Sequence, residues 1–317
     1  MSFLKILLIK MAINKLYYFF VSGFILIGLI SFFLIKNNII SDNINLLFFC
    51  FFLIFTLGAS HGALDHLRGE KILKPIFNTK WSIIFFPSYI LLALFVICLW
   101  LLSPSITLFV FLMISAYHFG EEDMSFFLNG NGPFFYFISF LKGLLVITLA
   151  LQFNFETTSI FFGYLMVNID QYTAITQFTS QIFYSNISLL LIGATVLLRG
   201  NLPKLFLIKL EVVLTILAFI YLPLILAFSL YFCFIHSTKH ILRQSRELDQ
   251  INLLNGLKLF SIKALPLTLL TAIGAVLFVF LLQDSLAENL IKTIFIGLAS
   301  LTLPHIILEV FEKYNVR

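Results

Sequence analysis

Long apolar stretches separated by short polar segments run through the whole of this 317-residue chain. A membrane crossing by a helix needs about 20 mostly apolar residues, and stretches near that length recur from one end of the sequence to the other. The pattern predicts an all-α fold, a polytopic membrane helical bundle of about ten transmembrane helices, with eight as the lower bound. The predicted spans are residues 16–35, 46–66, 82–102, 107–120 with flanking residues, 134–151, 185–198, 205–220, 224–240, 262–282 and 290–310.

The same pattern predicts a single integral membrane domain over residues 1–317. It begins with a basic N-terminal segment, residues 1–15, and contains one longer segment of mixed polar and aromatic residues, 153–184. We interpret that segment as a loop with room for an interfacial helix. Composition agrees with a membrane protein, since only 11% of residues are charged against about 25% in soluble domains.

The positions of Lys and Arg predict the orientation. When the N-terminus is placed in the cytoplasm, most of the 20 basic residues fall in cytoplasmic segments, and the opposite loops hold only Lys36. This asymmetry is typical of membrane proteins. It predicts cytoplasmic N- and C-termini, an extracytoplasmic 153–184 loop and a location in a bacterial inner membrane. No basic stripe with interleaved aromatic residues is visible, so nucleic-acid binding is not expected.

All the histidines lie near the ends of apolar stretches, and each belongs to an even-numbered span. They should therefore lie toward one face of the membrane, the cytoplasmic one. Polar side chains are costly in hydrocarbon and usually functional there, and imidazoles suit iron, zinc, copper or nickel. His236 and His240 are four residues apart, a spacing that puts two side chains on one face of a helix. The complete set is His61, His66, His118, His236, His240 and His305.

Asp65 follows His61 by four residues, and its carboxylate could orient a metal-bound imidazole through a hydrogen bond. His66 is turned away from that helix face. Taken singly, His66 and His305 are equally well explained as groups that hydrogen-bond neighbouring helices.

The acidic residues are interpreted differently. Residues 121–123, Glu-Glu-Asp, are expected to form a solvated helix end. Glu211 is the one acidic residue well inside a predicted span, and it has no acidic neighbour there. Gly58, Gly62 and Gly120 are expected to let helices approach closely.

Four ordered motifs resemble those of the Brp/Blh family of membrane β-carotene cleavage enzymes. They are Gly58-Ala-Ser-His-Gly-Ala-Leu-Asp-His66, Ser115-Ala-Tyr-His-Phe-Gly120, Tyr231-Phe-Cys-Phe-Ile-His-Ser-Thr-Lys-His240 and Leu303-Pro-His305. Two positions depart from the family pattern. Ser60 replaces a proline, and Lys239 stands where arginine is common.

The resemblance implies an enzyme that cleaves β-carotene with O2 at its central 15,15′ double bond, giving two molecules of all-trans-retinal. It implies Fe(2+) held by His61, His118, His236 and His240, with no other cofactor and no catalytic group beyond the metal centre. Asp65 would then support a ligand, while His66 and His305 would lie behind the ligands or pack helices. The carotenoid would reach the site from the lipid bilayer through an apolar channel, and retinal would pass to a rhodopsin.

Three other functions remain open on the sequence alone. A membrane iron desaturase or hydroxylase would normally carry several histidine boxes for two metals, and this chain has a single His-x-x-x-His. A polytopic cation transporter would place its site near the membrane midplane, whereas these histidines are expected toward one face of the membrane. A non-catalytic assembly factor for a rhodopsin would bind no iron.

Overall fold

The computed structural model describes residues 3–39, 44–128, 130–167 and 178–315, with side chains described from residue 13 to residue 313. Within these ranges the chain forms helices and no strand, which confirms the all-α prediction. The α-helices are α1 Phe3–Lys36, α2 Ile44–Leu53, α3 Asp65–Phe77, α4 Trp81–Leu102, α5 Pro104–Ser125, α6 Pro133–Phe153, α7 Phe155–Tyr164, α8 Thr179–Leu197, α9 Leu202–Tyr221, α10 Leu224–Leu230, α11 Thr238–Leu248, α12 Leu253–Leu281 and α13 Leu286–Asn315.

The chain is a polytopic membrane protein. Over the described residues, 7 helical stretches are long and apolar enough to cross a membrane. One of them, Ile44–Leu102, has 59 residues and covers two of the spans predicted from sequence. The count of ten and the side on which the termini lie stay predictions. The stretches are Ile13–Lys36, Ile44–Leu102, Pro133–Phe153, Thr179–Leu197, Leu224–Leu248, Leu253–Leu281 and Leu286–Lys313.

Local chemistry fixes several helix ends. Pro104 and Pro133 occupy the first positions of α5 and α6, where the missing N–H costs nothing and the fixed φ suits a helix. Asn252 precedes α12, and its side chain accepts hydrogen bonds from the backbone N–H groups of Leu254 and Asn255. This cap satisfies two of the donors that a helix start leaves unpaired.

Glycines bring α5 and α6 into backbone contact. A Cβ added to Gly120 would lie 1.7 Å from the Ser139 carbonyl oxygen, and one on Gly143 would lie 1.8 Å from that of Ala116. The close approach predicted for Gly120 is therefore confirmed, and Gly58 likewise abuts a ring, with its Cβ position 2.5 Å from Phe232. Gly62 has only ordinary contacts, the nearest at 3.6 Å.

Two predicted spans are not regular helices, and both carry histidines. The 46–66 span changes after α2 into a π-helix, Ile54–Gly58, and then a 3-10 helix, Ala59–Gly62, so His61 and Asp65 do not share one α-helix. The 224–240 span contains a second π-helix, Tyr231–Ser237, between α10 and α11. Such wide turns displace side chains from regular spacing and are frequent at functional sites.

Other segments also differ from expectation. The basic N-terminal segment is continuous with the first span, because α1 already begins at Phe3. The 153–184 segment contains α7 and the start of α8. Residues 168–177 within it lie outside the described residues, and its extracytoplasmic side remains a prediction.

Candidate metal centre

Five histidines from separate parts of the sequence converge inside the bundle. The ring centroid of His61 lies 6.3 Å from that of His118, 5.4 Å from His236, 5.2 Å from His240 and 5.3 Å from His305. All five side chains are buried. We call His61, His118, His236, His240 and His305 the histidine cluster.

The cluster is assembled by the two irregular helices together with α5, α11 and α13. The 3-10 helix carries His61, the second π-helix carries His236, and α13 carries His305. The structure thus brings histidines of all four sequence motifs together at these five positions. His66 lies apart from the rings, half-buried, with its Nδ1 3.0 Å from the Ala63 carbonyl oxygen.

Each of four cluster histidines turns its Nδ1 toward a carboxylate. A carboxylate behind an imidazole fixes the tautomer and leaves Nε2 with a lone pair. His61 uses the backbone instead, since its Nδ1 contacts the Gly58 carbonyl oxygen. The carboxylate contacts are His118 to Glu309 at 3.3 Å, His236 to Asp123 at 3.6 Å, His240 to Glu122 at 3.2 Å and His305 to Asp65 at 2.9 Å.

The opposite nitrogens are mostly without partners. The Nε2 atoms of His118, His236 and His305 are buried and have no hydrogen-bond partner among the described residues. The Nδ1 atoms of His236 and His240 face their carboxylates without forming a hydrogen bond. Buried polar atoms in native proteins are nearly always satisfied, so the Nε2 atoms are suited to binding a ligand. His240 differs, because the Gln244 side-chain amide donates to its Nε2 at 2.9 Å.

Two sets of donor atoms are close enough to share one ion. Ligand atoms of His61, His118 and His305 lie within 4.8 Å of one another, and so do those of His240, His305 and Glu309. His305 belongs to both sets, although the sequence placed it behind the ligands. Buried imidazole nitrogens with a carboxylate oxygen nearby fit a divalent transition metal. The exact ligand set stays a prediction.

A buried ion cluster adjoins His236. Lys142 Nζ lies 2.8 Å from Asp123 Oδ2 and 2.8 Å from Glu211 Oε2, and Lys239 Nζ lies 2.7 Å from Glu211 Oε1. Lys239 and Asp123 are 0% exposed. We call Asp123, Lys142, Glu211 and Lys239 the ion cluster. Tyr17 and Tyr231 add hydroxyl groups, which donate to Glu211 and Asp123.

These contacts correct one sequence interpretation and give Glu211 partners. The expectation of a solvated helix end at residues 121–123 is wrong for Glu122 and Asp123, which are buried against histidines and cations. Glu211 pairs with two lysines. The sequence held an indication of these buried ion pairs. Lys142 and Lys239 fall within predicted spans, and charged side chains in a membrane span need partners.

Glu309 is a candidate site residue that the sequence analysis did not single out. It lies beside His118 and accepts a hydrogen bond from Arg68 at 3.1 Å. Arg68 Nε in turn lies 3.3 Å from Glu312. The spacing could have revealed it, since Glu309 follows His305 by one helical turn, which puts the two side chains on one face.

A cavity of about 320 Å³ extends from the histidine cluster through the bundle. Its lining includes His61, His118 and His305 of the cluster together with Asp65 and His66, while most other lining residues are aliphatic or aromatic. Cavities of this kind, apolar with a few convergent polar groups, are typical of sites for apolar small molecules.

Comparison with known proteins identifies one family whose match spans the histidine cluster. The family model Beta-carotene 15,15′-dioxygenase matches residues 52–311, which include the whole histidine cluster. A protein named Beta-carotene 15,15′-dioxygenase, from Uncultured marine bacterium 66A03, is 29% identical over 270 residues, covering 84% of this chain and 94% of the relative. No solved structure matches the chain. The chain therefore belongs to the Beta-carotene 15,15′-dioxygenase family.

Proposed function

We propose that this protein cleaves β-carotene at its central 15,15′ double bond, using one O2 and giving two molecules of all-trans-retinal. The family match carries the proposal, and the apolar cavity that ends on buried histidines supports it. The reaction balances with those partners, because the central carbon–carbon double bond breaks and each carbon gains one oxygen atom as an aldehyde.

The histidine cluster would hold Fe(2+), with His61, His118, His236 and His240 as the predicted ligands. His305 lies among them and would supply a further nitrogen to the same shell. For His240 to bind through Nε2, the Gln244 amide must give up its present contact. The iron would supply O2 activation, since ferrous ion on neutral nitrogen ligands can keep open positions for oxygen.

The protein's own residues would orient the ligands and exclude water. Asp65 fixes His305, and Tyr89 donates a hydrogen bond to Asp65 at 2.9 Å, which holds the carboxylate in place. Phe119 and Phe232 line the cavity beside the cluster, and the Phe119 ring centroid lies 4.5 Å from that of His236. Apolar rings at this position would hold the middle of a polyene close to the metal in a dry site.

The location would be a bacterial inner membrane, with the metal site toward the cytoplasmic side, as the distribution of Lys and Arg indicates. The bilayer would deliver the carotenoid, and a rhodopsin would accept retinal. Reporter fusions test the orientation. A reporter placed between Lys71 and Lys80 should be active only in its cytoplasmic form, and the reverse result would refute the placement.

Expression in a bacterial host that accumulates β-carotene tests the activity. We expect the cells to lose colour and retinal to appear, with label in both aldehydes when 18O2 is supplied. Folded protein that forms no retinal would refute the proposed substrate.

Metal analysis of the purified protein tests the site. We expect about one iron per chain, lost in His236→Ala and retained in His66→Ala, because the His66 ring lies outside the cluster. Two irons per chain would favour a desaturase or hydroxylase, and no bound metal would favour the assembly factor.

A further inference from the structure

The cavity that reaches the histidine cluster opens between two helices. Among its lining residues, the exposed ones are Phe86 and Ile90 in α4 and Leu270 in α12, at 40%, 57% and 64% exposure. The other lining residues are buried or half-buried. The mouth of the cavity is therefore formed by these three side chains.

The opening results from how the helices pack. Both α4 and α12 pack on α13, and α4 also packs on α3, but over their described lengths α4 and α12 form no close pair with each other. Both belong to membrane-spanning stretches whose residues are mostly unburied. Apolar side chains at such positions face lipid, so the mouth opens to the hydrocarbon of the bilayer.

A short chain of contacts connects the mouth to the histidine cluster. Tyr89 lies between Phe86 and Ile90 in α4 and also lines the cavity. Its hydroxyl donates to Asp65, and Asp65 accepts from His305 Nδ1. The side chains of Tyr89 and Asp65 thus connect the mouth to His305 of the cluster.

Beyond the cluster the cavity continues into a closed arm. Along α13, both His305 and Phe295 line the cavity, and ten residues of α-helix span about 15 Å. Thr158 in α7 and Phe219 in α9 are buried lining residues at this end. The Asn154 side chain donates to the Phe219 carbonyl oxygen at 2.7 Å, which ties the start of α7 to the end of α9.

The distance along α13 between the lining residues His305 and Phe295 is close to half the length of a C40 carotenoid. An extended carbon chain advances about 1.2 Å per bond, so about twelve bonds from the central double bond to the far side of the ring take roughly 14 Å. When one half fills the closed arm, the central double bond lies near the cluster and the other half lies toward the mouth.

We propose that the gap between α4 and α12 at Phe86, Ile90 and Leu270 is the entrance for the carotenoid, and that the closed arm stops it with its centre at the histidine cluster. This inference rests on the proposed cleavage of β-carotene. It adds a route from the bilayer and a structural reason for central cleavage, since the blind end of the arm sets how far the polyene can enter.

Reversible blocking of the mouth tests the entrance. The parent protein carries Cys98→Ala to remove an exposed thiol, while Cys50 and Cys233 are buried. Leu270→Cys is compared with the control Leu269→Cys, whose side chain is 52% exposed and does not line the cavity. Retinal formation is measured in membranes that contain β-carotene, before and after treatment with a bulky apolar methanethiosulfonate and again after reduction. A second pair, Ile90→Cys and Leu91→Cys, repeats the comparison on α4.

Modified Leu270→Cys and Ile90→Cys should each lose kcat/KM on the order of tenfold relative to their own unmodified state, mainly through KM. Reduction should restore the rate, and bound iron should not change. Retinal formation by the parent with equal inhibition at positions 269 and 270, and at 90 and 91, would refute the entrance alone. A parent that forms no retinal would refute the proposed function and this inference together.

Discussion

Removing one charge from the ion cluster should destabilise the protein more than any surface charge change. The chosen variant is Glu211→Gln, which keeps the shape of the side chain and removes its negative charge. Glu211 is 2% exposed and contacts Lys142 at 2.8 Å and Lys239 at 2.7 Å. In the native cluster two carboxylates face two ammonium groups, so the variant leaves one buried positive charge without compensation.

The magnitude follows from these distances. Unit charges 2.7 Å apart attract by about 6 kcal/mol at an effective dielectric constant of about 20, and the desolvation of both ions offsets much of that gain. Removing one partner keeps the desolvation cost of the other. We therefore expect Glu211→Gln to lower the free energy of unfolding by about 3–5 kcal/mol.

A double-mutant cycle checks the reasoning. Lys142→Met added to Glu211→Gln restores charge balance and should recover most of the lost stability. Unfolding in mixed micelles, followed by circular dichroism, measures each variant, and Glu156→Gln on the exposed surface of α7 is the matched control. If Glu211→Gln costs no more than Glu156→Gln, or if Lys142→Met makes the loss larger, the ion cluster does not act as a balanced unit.

Two further substitutions test the packing that supports the site. Gly120→Ala should prevent the α5–α6 contact and sharply reduce the yield of folded protein, because its Cβ would lie 1.7 Å from the Ser139 carbonyl oxygen. The control Gly274→Ala should fold normally, because its Cβ would have nothing within 4 Å. Equal yields of the two variants would contradict this account. Trp100→Phe should lower the free energy of unfolding by about 1 kcal/mol, because the indole N–H no longer donates to the Leu165 carbonyl oxygen; an unchanged value in mixed micelles would show that water or lipid replaces that bond.

The pattern of apolar residues predicted the long helices but not the π-helical segments within them. Long runs such as residues 82–102 predicted α4 almost to the residue, because a helix in lipid must satisfy its backbone internally. Nothing in the composition of Ile54–Gly58 or Tyr231–Ser237 marks them as π-helices. Those wide turns depend on tertiary contacts, such as the approach of Phe232 to Gly58.

The histidines of the site were accessible from the sequence because they occupy few, ordered and otherwise apolar places. Their carboxylate partners were harder to recognise. Glu122 and Asp123 look like a helix end at a membrane surface, and only the folded bundle shows Arg243 and Lys142 opposite them. The residues next to Glu122 in the sequence do not reveal its partner, because Arg243 lies more than a hundred residues away.

The site has three layers: the histidines, the carboxylates behind them, and the cations behind the carboxylates. The cations explain how so many acids can be buried beside the imidazoles. Each carboxylate behind a histidine also faces a cation. A buried carboxylate without a partner would take up a proton and lose its value as an acceptor. With the cation present it stays an acceptor facing Nδ1, which favours the imidazole tautomer whose lone pair is on Nε2. The outer pairs are Asp123 with Lys142, Glu122 with Arg243, and both Glu309 and Asp65 with Arg68.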